Sequence, residues 1–188
     1  MSFHDQQTFK NQDFTSTLLN KGEYDACTFT NCNFENSDIS NITFLECEFI
    51  DCNLSNCNVT NTVFKDVHFK DCKLIGVKFE TASDFIIEFT FTNCQLDFAS
   101  FYSLDIKRTH FNNCKLIETD FTEANLEHAI FSKCDLNRAV FNNTNLKAAD
   151  LRSSFNFDID PEQNTLTKAK FSRDEVAGLL KKYQIILE

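Results

Sequence analysis

The chain has 188 residues, enough for one domain with a substantial core. It contains 22 Phe, nine Cys, three Gly, one Pro and no Trp, and its formal charge is −10. So few Gly and Pro residues argue against tight hairpins, whose turns need residues that tolerate positive φ. The acidic balance argues against direct binding to nucleic acid or to an anionic membrane, because both need a basic footprint.

The N-terminal sequence, MSFHDQQTFK, lacks the basic and apolar regions of a signal peptide. No stretch approaches the roughly 18 to 20 apolar residues that span a bilayer. We therefore predict no membrane association and a cytoplasmic location. In such a chain the cysteines are expected to be reduced thiols and not a disulfide framework.

An apolar residue, here called the centre, falls on every fifth position. The first run of centres is Phe9, Phe14, Leu19, Tyr24, Phe29, Phe34, Ile39, Phe44, Phe49, Leu54, Val59, Phe64, Phe69, Leu74 and Phe79. The second run is Phe91, Leu96, Phe101, Ile106, Phe111, Leu116, Phe121, Leu126, Phe131, Leu136, Phe141, Leu146 and Leu151. A period this regular indicates a repeat architecture in which like residues stack.

The residue two places before each centre is mostly small or β-branched, and the residue between the two is mostly polar. All the cysteines occupy this small-residue position: Cys27, Cys32, Cys47, Cys52, Cys57, Cys72, Cys94, Cys114 and Cys134. Alternation over three residues predicts a short strand with the small residue and the centre inward. Five is an odd number, so the chain must bend once per repeat. Asparagines suit those corners: Asn20, Asn31, Asn36, Asn41, Asn56, Asn61, Asn112 and Asn113.

A longer period shows how many edges close one coil. Cys32, Cys52 and Cys72 recur at intervals of twenty residues, which corresponds to four edges and a square cross-section. Coils stacked about 4.8 Å apart would form parallel ladders. The 28 centres then predict about seven coils, roughly 34 Å of rod at that spacing.

The repeat is interrupted between Phe79 and Phe91, which lie twelve residues apart where the period gives ten. Two inserted residues keep the cysteine ladder in line, so residues 80–90 predict a bulge or short loop on a continuous rod. A longer loop followed by an ordinary coil would break the ladder. The segment is a candidate partner-binding tip formed by Asp84, Phe85, Ile86, Ile87 and Glu88. Alternatively, Phe85 and Ile87 fold back into the core.

The repeating pattern of a small residue, Asp or Asn, Leu or Phe and two polar residues resembles the pentapeptide-repeat proteins. This resemblance implies an all-β, right-handed quadrilateral parallel β-helix. The predicted organisation is an N-terminal lead at 1–8, repeats at 9–79 and 91–153, and a C-terminal cap at 154–188.

The C-terminal segment resembles the cap of the quinolone-resistance (Qnr-type) members of this family, which bind DNA gyrase and topoisomerase IV. Ser172 and Glu175 have the spacing of a capping box, so a capping helix is expected over residues 173–183. The resemblance implies tail-to-tail homodimers, and the alternative is a cap alone. The predicted cap and dimer interface comprises Val176, Leu179, Leu180, Tyr183, Ile185 and Ile186.

The sequence motifs give no support for catalysis or for metal binding. No cysteine pair has the two-residue gap of a zinc site, and stacked Cys residues suit a dry core. No nucleophile motif, metal-binding helix motif or glycine-rich phosphate loop is present. We therefore predict no cofactor and a protein that is not an enzyme.

Charge is the remaining functional signal. Residues 1–60 hold nine acids and two bases, and residues 9–151 hold 21 acids and 12 bases. The predicted acidic surface near one corner of the early coils comprises Glu23, Asp25, Glu46, Glu48, Asp51, Asp66 and Asp71. With the Qnr-type resemblance, it suggests a DNA mimic that binds type II topoisomerase and protects it from quinolones or similar poisons. The alternatives are a merely solubilising surface or a protein interaction scaffold with an unrelated partner.

Overall fold

Short parallel strands that recur about every twenty residues build the structure, a computed structural model that describes residues 2–84 and 87–186. The strands are β1 Ser2–Asp5, β2 Thr8–Lys10, β3 Gly22–Asp25, β4 Thr28–Thr30, β5 Thr43–Leu45, β6 Glu48–Ile50, β7 Val63–Lys70, β8 Ile87–Thr92, β9 His110–Asn112 and β10 Ile130–Ser132. The 3₁₀ segments are Phe79–Thr81, Val176–Leu179 and Lys181–Tyr183.

The parallel pairing joins each coil to the next. Phe9 pairs with Phe29, and Phe29 pairs with Phe49, so partners are twenty residues apart. Single bridges outside the named strands follow the same rule, as between Asn33 and Asn53. The predicted all-β parallel solenoid is therefore confirmed.

The solenoid has four faces, numbered here in chain order by the centres that point inward from each. Face 1 holds Phe9, Phe29, Phe49, Phe69, Phe91, Phe111, Phe131 and Leu151. Face 2 holds Phe14, Phe34, Leu54, Leu74, Leu96, Leu116 and Leu136. Face 3 holds Leu19, Ile39, Val59, Phe79, Phe101, Phe121 and Phe141. Face 4 holds Tyr24, Phe44, Phe64, Ile106, Leu126 and Leu146. The chain visits the faces in this order, so face 1 lies opposite face 3.

Aromatic rings fill the core by two kinds of contact. Within a face, rings of neighbouring coils lie nearly parallel, as for Phe111 and Phe131 with centroids 4.9 Å apart and planes at 8°. Across the core, rings of faces 1 and 3 meet edge to face, as for Phe101 and Phe111 at 5.9 Å and 83°. Both are favoured arrangements of aromatic pairs, and they leave a core of well-defined geometry.

The corners between faces contain a residue in the left-handed backbone region, two places after the centre. Of the corner asparagines expected from the sequence, Asn31, Asn36, Asn41, Asn56, Asn61 and Asn113 have positive φ. Asn occupies this region more readily than most residues because its short side chain hydrogen-bonds locally. The Asn side chains also bond between coils. Asn113 Nδ2, for example, donates to Asn93 Oδ1 at 2.9 Å.

Across residues 80–90 the pairing offset changes from twenty to twenty-two. Asn61 N–H still bonds to the carbonyl of Thr81, whereas Lys73 pairs with Gln95. The register shift lies between β7 and β8, near Phe64 and Val67. The two additional residues therefore lie on face 4, and the other faces continue in line.

The number of turns is slightly smaller than predicted. Face 1 contains seven strand levels, from β2 to β10, and six steps join them. The solenoid therefore has about six turns, whereas counting centres gave about seven coils. The strand count stops at β10, although single bridges from Ile130 to Asp150 and from Asp150 to Lys170 continue face 1 beyond it. None of the helical segments in residues 2–84 and 87–186 is long and apolar enough to cross a membrane.

The predicted C-terminal helix over residues 173–183 is wrong. Ser172 Oγ does accept the N–H of Glu175 at 3.1 Å, so half of the capping box forms. After it the chain makes only the 3₁₀ segments Val176–Leu179 and Lys181–Tyr183. A helix of this length is marginal without strong tertiary support, so tertiary contacts decide the local conformation.

Gly178 explains why the α-helix does not propagate. Glycine costs about 1 kcal/mol in a helix interior. Here it packs tightly against Phe157, where a Cβ atom would lie 2.5 Å from the ring. Its carbonyl accepts the N–H of Ile159 at 3.1 Å, which ties the segment to an earlier part of the chain. The segment therefore covers the end of the solenoid as an irregular strap.

Candidate protein-binding surfaces

The cysteines lie in the core, as their position in the repeat predicts, and all are buried free thiols. All the thiols except Cys57 donate to backbone carbonyls of the preceding coil, as Cys52 does to Phe29 at 3.3 Å and Cys72 to Phe49 at 3.3 Å. Burial raises the pKa of Cys47 to about 12 and that of Cys57 to about 11. Among residues 2–84 and 87–186, no three His, Cys, Asp or Glu side chains are placed to hold a metal ion.

The acidic residues singled out in the sequence border face 1 instead of gathering at one corner. Asp25, Glu46 and Asp66 lie where face 4 meets face 1, and Glu23 precedes them on face 4. Glu48 projects from face 1 and pairs in register with His68.

Asp51 and Asp71 occupy the next corner, between face 1 and face 2. Both have positive φ, at 53° and 56°. Asp71 Oδ1 accepts a hydrogen bond from Asn93 Nδ2 at 2.8 Å, which continues the corner ladder into the next coil. The acidic surface therefore extends across face 1, with Lys70 on its outer side next to Ile50.

Few of these acids are neutralised by bases. Asp66 is 3.1 Å from His68, and in the part of the chain that the structure describes the other six make no ion pair within 4.0 Å. In later coils several acids lie beside bases. Glu118 pairs with Arg138 at 2.9 Å and Glu127 with Lys147 at 2.7 Å. The negative potential is therefore concentrated in the early coils.

The insertion at 80–90 has both exposed and inward residues. Asp84 and Glu88 are exposed, whereas Ile87 packs against the core and pairs with Phe64. Phe89 is buried and contacts Phe79, with ring centroids 5.1 Å apart. The predicted tip residues Phe85 and Ile86 lie outside the described residues. In the described part of the insertion, Asp84 and Glu88 are therefore the acids that face the solvent.

The C-terminal strap exposes a set of apolar side chains. Val176, Tyr183, Ile185 and Ile186 are 43%, 52%, 53% and 87% exposed. Leu179 packs against the core, and Leu180 is half-buried. Two of the six residues predicted for this interface are therefore partly occupied in covering the solenoid.

Polar contacts fasten the strap to residues 157–162. Lys182 Nζ lies 2.6 Å from Asp160 and 2.7 Å from Glu162. Tyr183 Oη donates to Glu162 at 2.8 Å. The hydrogen bond from Lys182 lowers the pKa of Asp160 and of Glu162. Desolvation opposes the charge of Lys182, but its two acidic partners outweigh this effect and raise the pKa of Lys182.

Two exposed aromatic residues that the sequence analysis missed border face 3. Phe98 is 58% exposed and Tyr102 is 44% exposed. Both follow a centre and occupy positions where the repeat otherwise has mostly polar residues. The sequence does show a Phe at a corner position, where polar residues predominate. It was overlooked because most of the Phe residues are centres that point inward.

The fold and these surfaces define a four-sided parallel β-solenoid with its candidate binding sites on the outside. Residues 22–101 and 86–179 match the sequence profile of the pentapeptide repeat region. The chain belongs to the pentapeptide repeat family.

Solved structures of QnrB1, described as a plasmid-mediated fluoroquinolone resistance protein, share the fold. One trypsin-treated variant has a TM-score of 0.78 at 19% identity, over 100% of this chain and 92% of that one. Full-length QnrB1 has a TM-score of 0.57 at 19% identity, over 98% of this chain and 100% of that one. The chain is thus a Qnr-like pentapeptide repeat protein in fold. Among curated proteins, none matches it in sequence.

Proposed function

We propose that the chain binds type II topoisomerase, DNA gyrase or topoisomerase IV, as a DNA mimic and protects it from quinolones or similar poisons. The observation that carries the proposal is the likeness to QnrB1 over the whole chain, at a TM-score of 0.78. That protein's description as a fluoroquinolone resistance protein supports the same role here. The proposed site of action is the cytoplasm, where a topoisomerase would be met.

The distribution of charge supports a basic partner. Residues 9–151 carry 21 acids and 12 bases, a net charge of −9. Over roughly 34 Å this is about half the charge of B-DNA, which carries one charge per 1.7 Å. Glu46, Glu48, Asp51 and Asp71 make no ion pair with the residues that the structure describes, and all border face 1. Face 1 of the early coils is therefore the proposed surface for a DNA-binding groove.

The test is a supercoiling assay in which purified gyrase is titrated with the protein, with and without ciprofloxacin. We expect protection of supercoiling from the drug at micromolar protein or below, with inhibition at higher concentrations. If micromolar protein neither protects nor inhibits gyrase, the proposal is excluded. A pull-down that then recovers no topoisomerase subunit would favour a scaffold with an unrelated partner.

Homodimerisation through the C-terminal strap belongs to the same proposal. The exposed Val176, Ile185 and Ile186 supply an apolar surface at the end of the solenoid. Light scattering should give twice the chain mass of 21.7 kDa. Changing Ile185→Asp and Ile186→Asp should give the monomer mass, and a monomer in the unmodified protein would contradict dimerisation.

A further inference from the structure

Phe98 is held in an unfavourable backbone conformation with its ring in solvent. Its φ is 59°, and no other Phe or Tyr in residues 2–84 and 87–186 has positive φ. The same corner of earlier coils has Asn36, Asn56 and Gly76, which suit this conformation better. Bulky residues are rare in this region, and such strain is often found at functional sites. With 58% of Phe98 exposed, packing in the core does not explain it.

A surface groove lies on face 3 in the coil that precedes Phe98. It has a volume of about 390 Å³, and its lining includes Asn56, Val59, Gly76, Lys78 and Thr81. Gly76 N–H bonds to the carbonyl of Asp97 at 2.9 Å, so Phe98 stands one coil above the glycine. A side chain at position 76 would collide with Asn56, 2.5 Å away. The absence of a side chain there leaves the groove open next to the ring.

Tyr102 stands at the other corner of the same face and is fixed in orientation. Its hydroxyl donates to Glu123 Oε2 at 3.2 Å, and its N–H bonds to Ser100 Oγ at 3.3 Å. The ring is nevertheless 44% exposed. An oriented, amphipathic ring with little side-chain entropy to lose is favourable in a binding surface. Thr81 belongs to the insertion at 80–90 and lines the groove, so the insertion borders the groove on this side.

Charged residues of both signs lie near the two rings, since the base Lys78 lines the groove and pairs in register with Ser100. Asp97 precedes Phe98, and Asp120 projects from the next coil, in register with Ser100. Each accepts a backbone N–H, from Ile117 at 3.2 Å and from Thr122 at 2.8 Å. In the described ranges neither makes an ion pair with a base within 4.0 Å. Aromatic rings bordered by carboxylates suit a cationic side chain, which can stack on a ring while it meets the acids.

We propose that Phe98, Tyr102 and the adjoining groove form the anchoring contact for the topoisomerase. The occupant is an extended segment of that protein carrying an arginine or lysine between apolar side chains. This inference rests on the proposed function and adds a second surface, opposite the acidic face 1. Exposed acids mainly accelerate encounter, whereas buried aromatic anchors mainly slow dissociation. The two surfaces therefore contribute to different rate constants.

The experiment measures association and dissociation rates on immobilised DNA gyrase for the unmodified protein and the Phe98→Asn, Tyr102→Thr double variant. We expect dissociation to accelerate roughly tenfold or more, with association changed less than about threefold. Val140→Thr is the matched control, because Val140 is 46% exposed on the same face outside the groove. It should leave both rates unchanged.

The substitutions are chosen to preserve the fold. Asn replaces Phe98 where earlier coils have Asn, so the Phe98→Asn single variant should unfold at the same or a higher denaturant concentration. Tight gyrase binding with an unchanged dissociation rate in the double variant would overturn the anchor and leave the proposed function standing. If the unmodified protein does not bind gyrase, the proposed function fails and the anchor fails with it.

Discussion

Phe29 and Phe49 stack face to face, with ring centroids 4.7 Å apart and planes at 8°. The distance matches the spacing of hydrogen-bonded strands, so the backbone ladder and the ring stack have the same repeat. Phe49 continues to Phe69 at 5.1 Å. Each coil therefore adds one ring to a column that the backbone holds in register.

Phe49→Ala should destabilise the protein by about 3–5 kcal/mol, because the ring is fully buried between two stacked neighbours. Denaturant unfolding followed by circular dichroism measures the loss. Phe3→Ala is the control, since Phe3 is 63% exposed and its truncation should change stability by about 0.5 kcal/mol or less. Equal losses for both variants would contradict the stacked core.

The native thiols should react very slowly with a thiol-specific reagent at pH 8. Burial excludes the reagent from all of them, and it also raises the pKa of Cys47 to about 12 and that of Cys57 to about 11, so these two form little thiolate. In denaturant all nine cysteines should react rapidly. Time-resolved absorbance of the released dye is the measurement. Rapid reaction of several thiols in the folded protein would refute the core described above.

Asn93→Ala should cost about 1–2 kcal/mol, because alanine is disfavoured at positive φ. Asn93 has φ 55° and bonds with Asp71 and Asn113 in the corner ladder. Asn93→Gly removes the same hydrogen bonds but tolerates the backbone, so its loss should be smaller. Chemical denaturation gives the free energy of unfolding of both variants, and their difference is the cost of placing alanine at positive φ. A larger loss of stability for the Gly variant than for the Ala variant would contradict this explanation.

The C-terminal strap should be held most firmly between about pH 5 and pH 10. The pKa values of Asp160 and Glu162 are lowered in the folded protein. Their contribution to the stability of the strap is therefore present above their unfolded pKa and is lost as the pH falls through the folded values. The raised pKa of Lys182 gives a contribution that is complete below its unfolded pKa and lost as pH rises through the folded value. Hydrogen exchange of Leu180, corrected for intrinsic rates, should therefore be slowest at neutral pH.

Lys182→Met should remove most of that pH dependence and speed exchange in the strap at pH 7. Lys168→Met is the matched control, because Lys168 is exposed and makes no ion pair with residues 2–84 or 87–186. Exchange in the strap that is the same in both variants would show that the ion pairs do not fasten it.

Neutralising the acidic surface should slow association with gyrase. Glu46→Gln, Glu48→Gln, Asp51→Asn and Asp71→Asn together should reduce the association rate about three- to tenfold and weaken its salt dependence. The control changes the same number of charges at acids paired with bases, Asp105, Glu118, Glu127 and Asp150. Equal slowing in both variants would attribute the effect to net charge and not to this surface.

The repeat region was predictable because each position has one dominant physical demand. A centre must fill the core, so Phe and Leu recur and all but the partly buried Phe9 are buried, and a corner favours Asn. Where two demands compete, the sequence was a poorer guide. At Ser172 and Glu175 the capping box indicated a helix, but the contact of Gly178 with Phe157 redirected the chain. That contact joins distant residues, and no local pattern reveals it.

The surfaces were harder to predict than the core because they depend on which coils lie side by side. The acids near Asp51 are divided between two corners, which the linear order does not make evident. Phe98 and Tyr102 belong to one face only after the coil closes. Their neighbour Gly76 is 22 residues away from Phe98 in the sequence, with the insertion included.

The bonds between coils run along the long axis, so a pulling force on the two ends would load all four faces of one layer together. All the bonds of one layer therefore resist the force together. Rupture is expected at the layer whose strands are paired least completely. The offset between β7 and β8 interrupts pairing between Phe64 and Val67. Under tension the molecule should therefore part there first, into two shorter rods that each keep an intact stack.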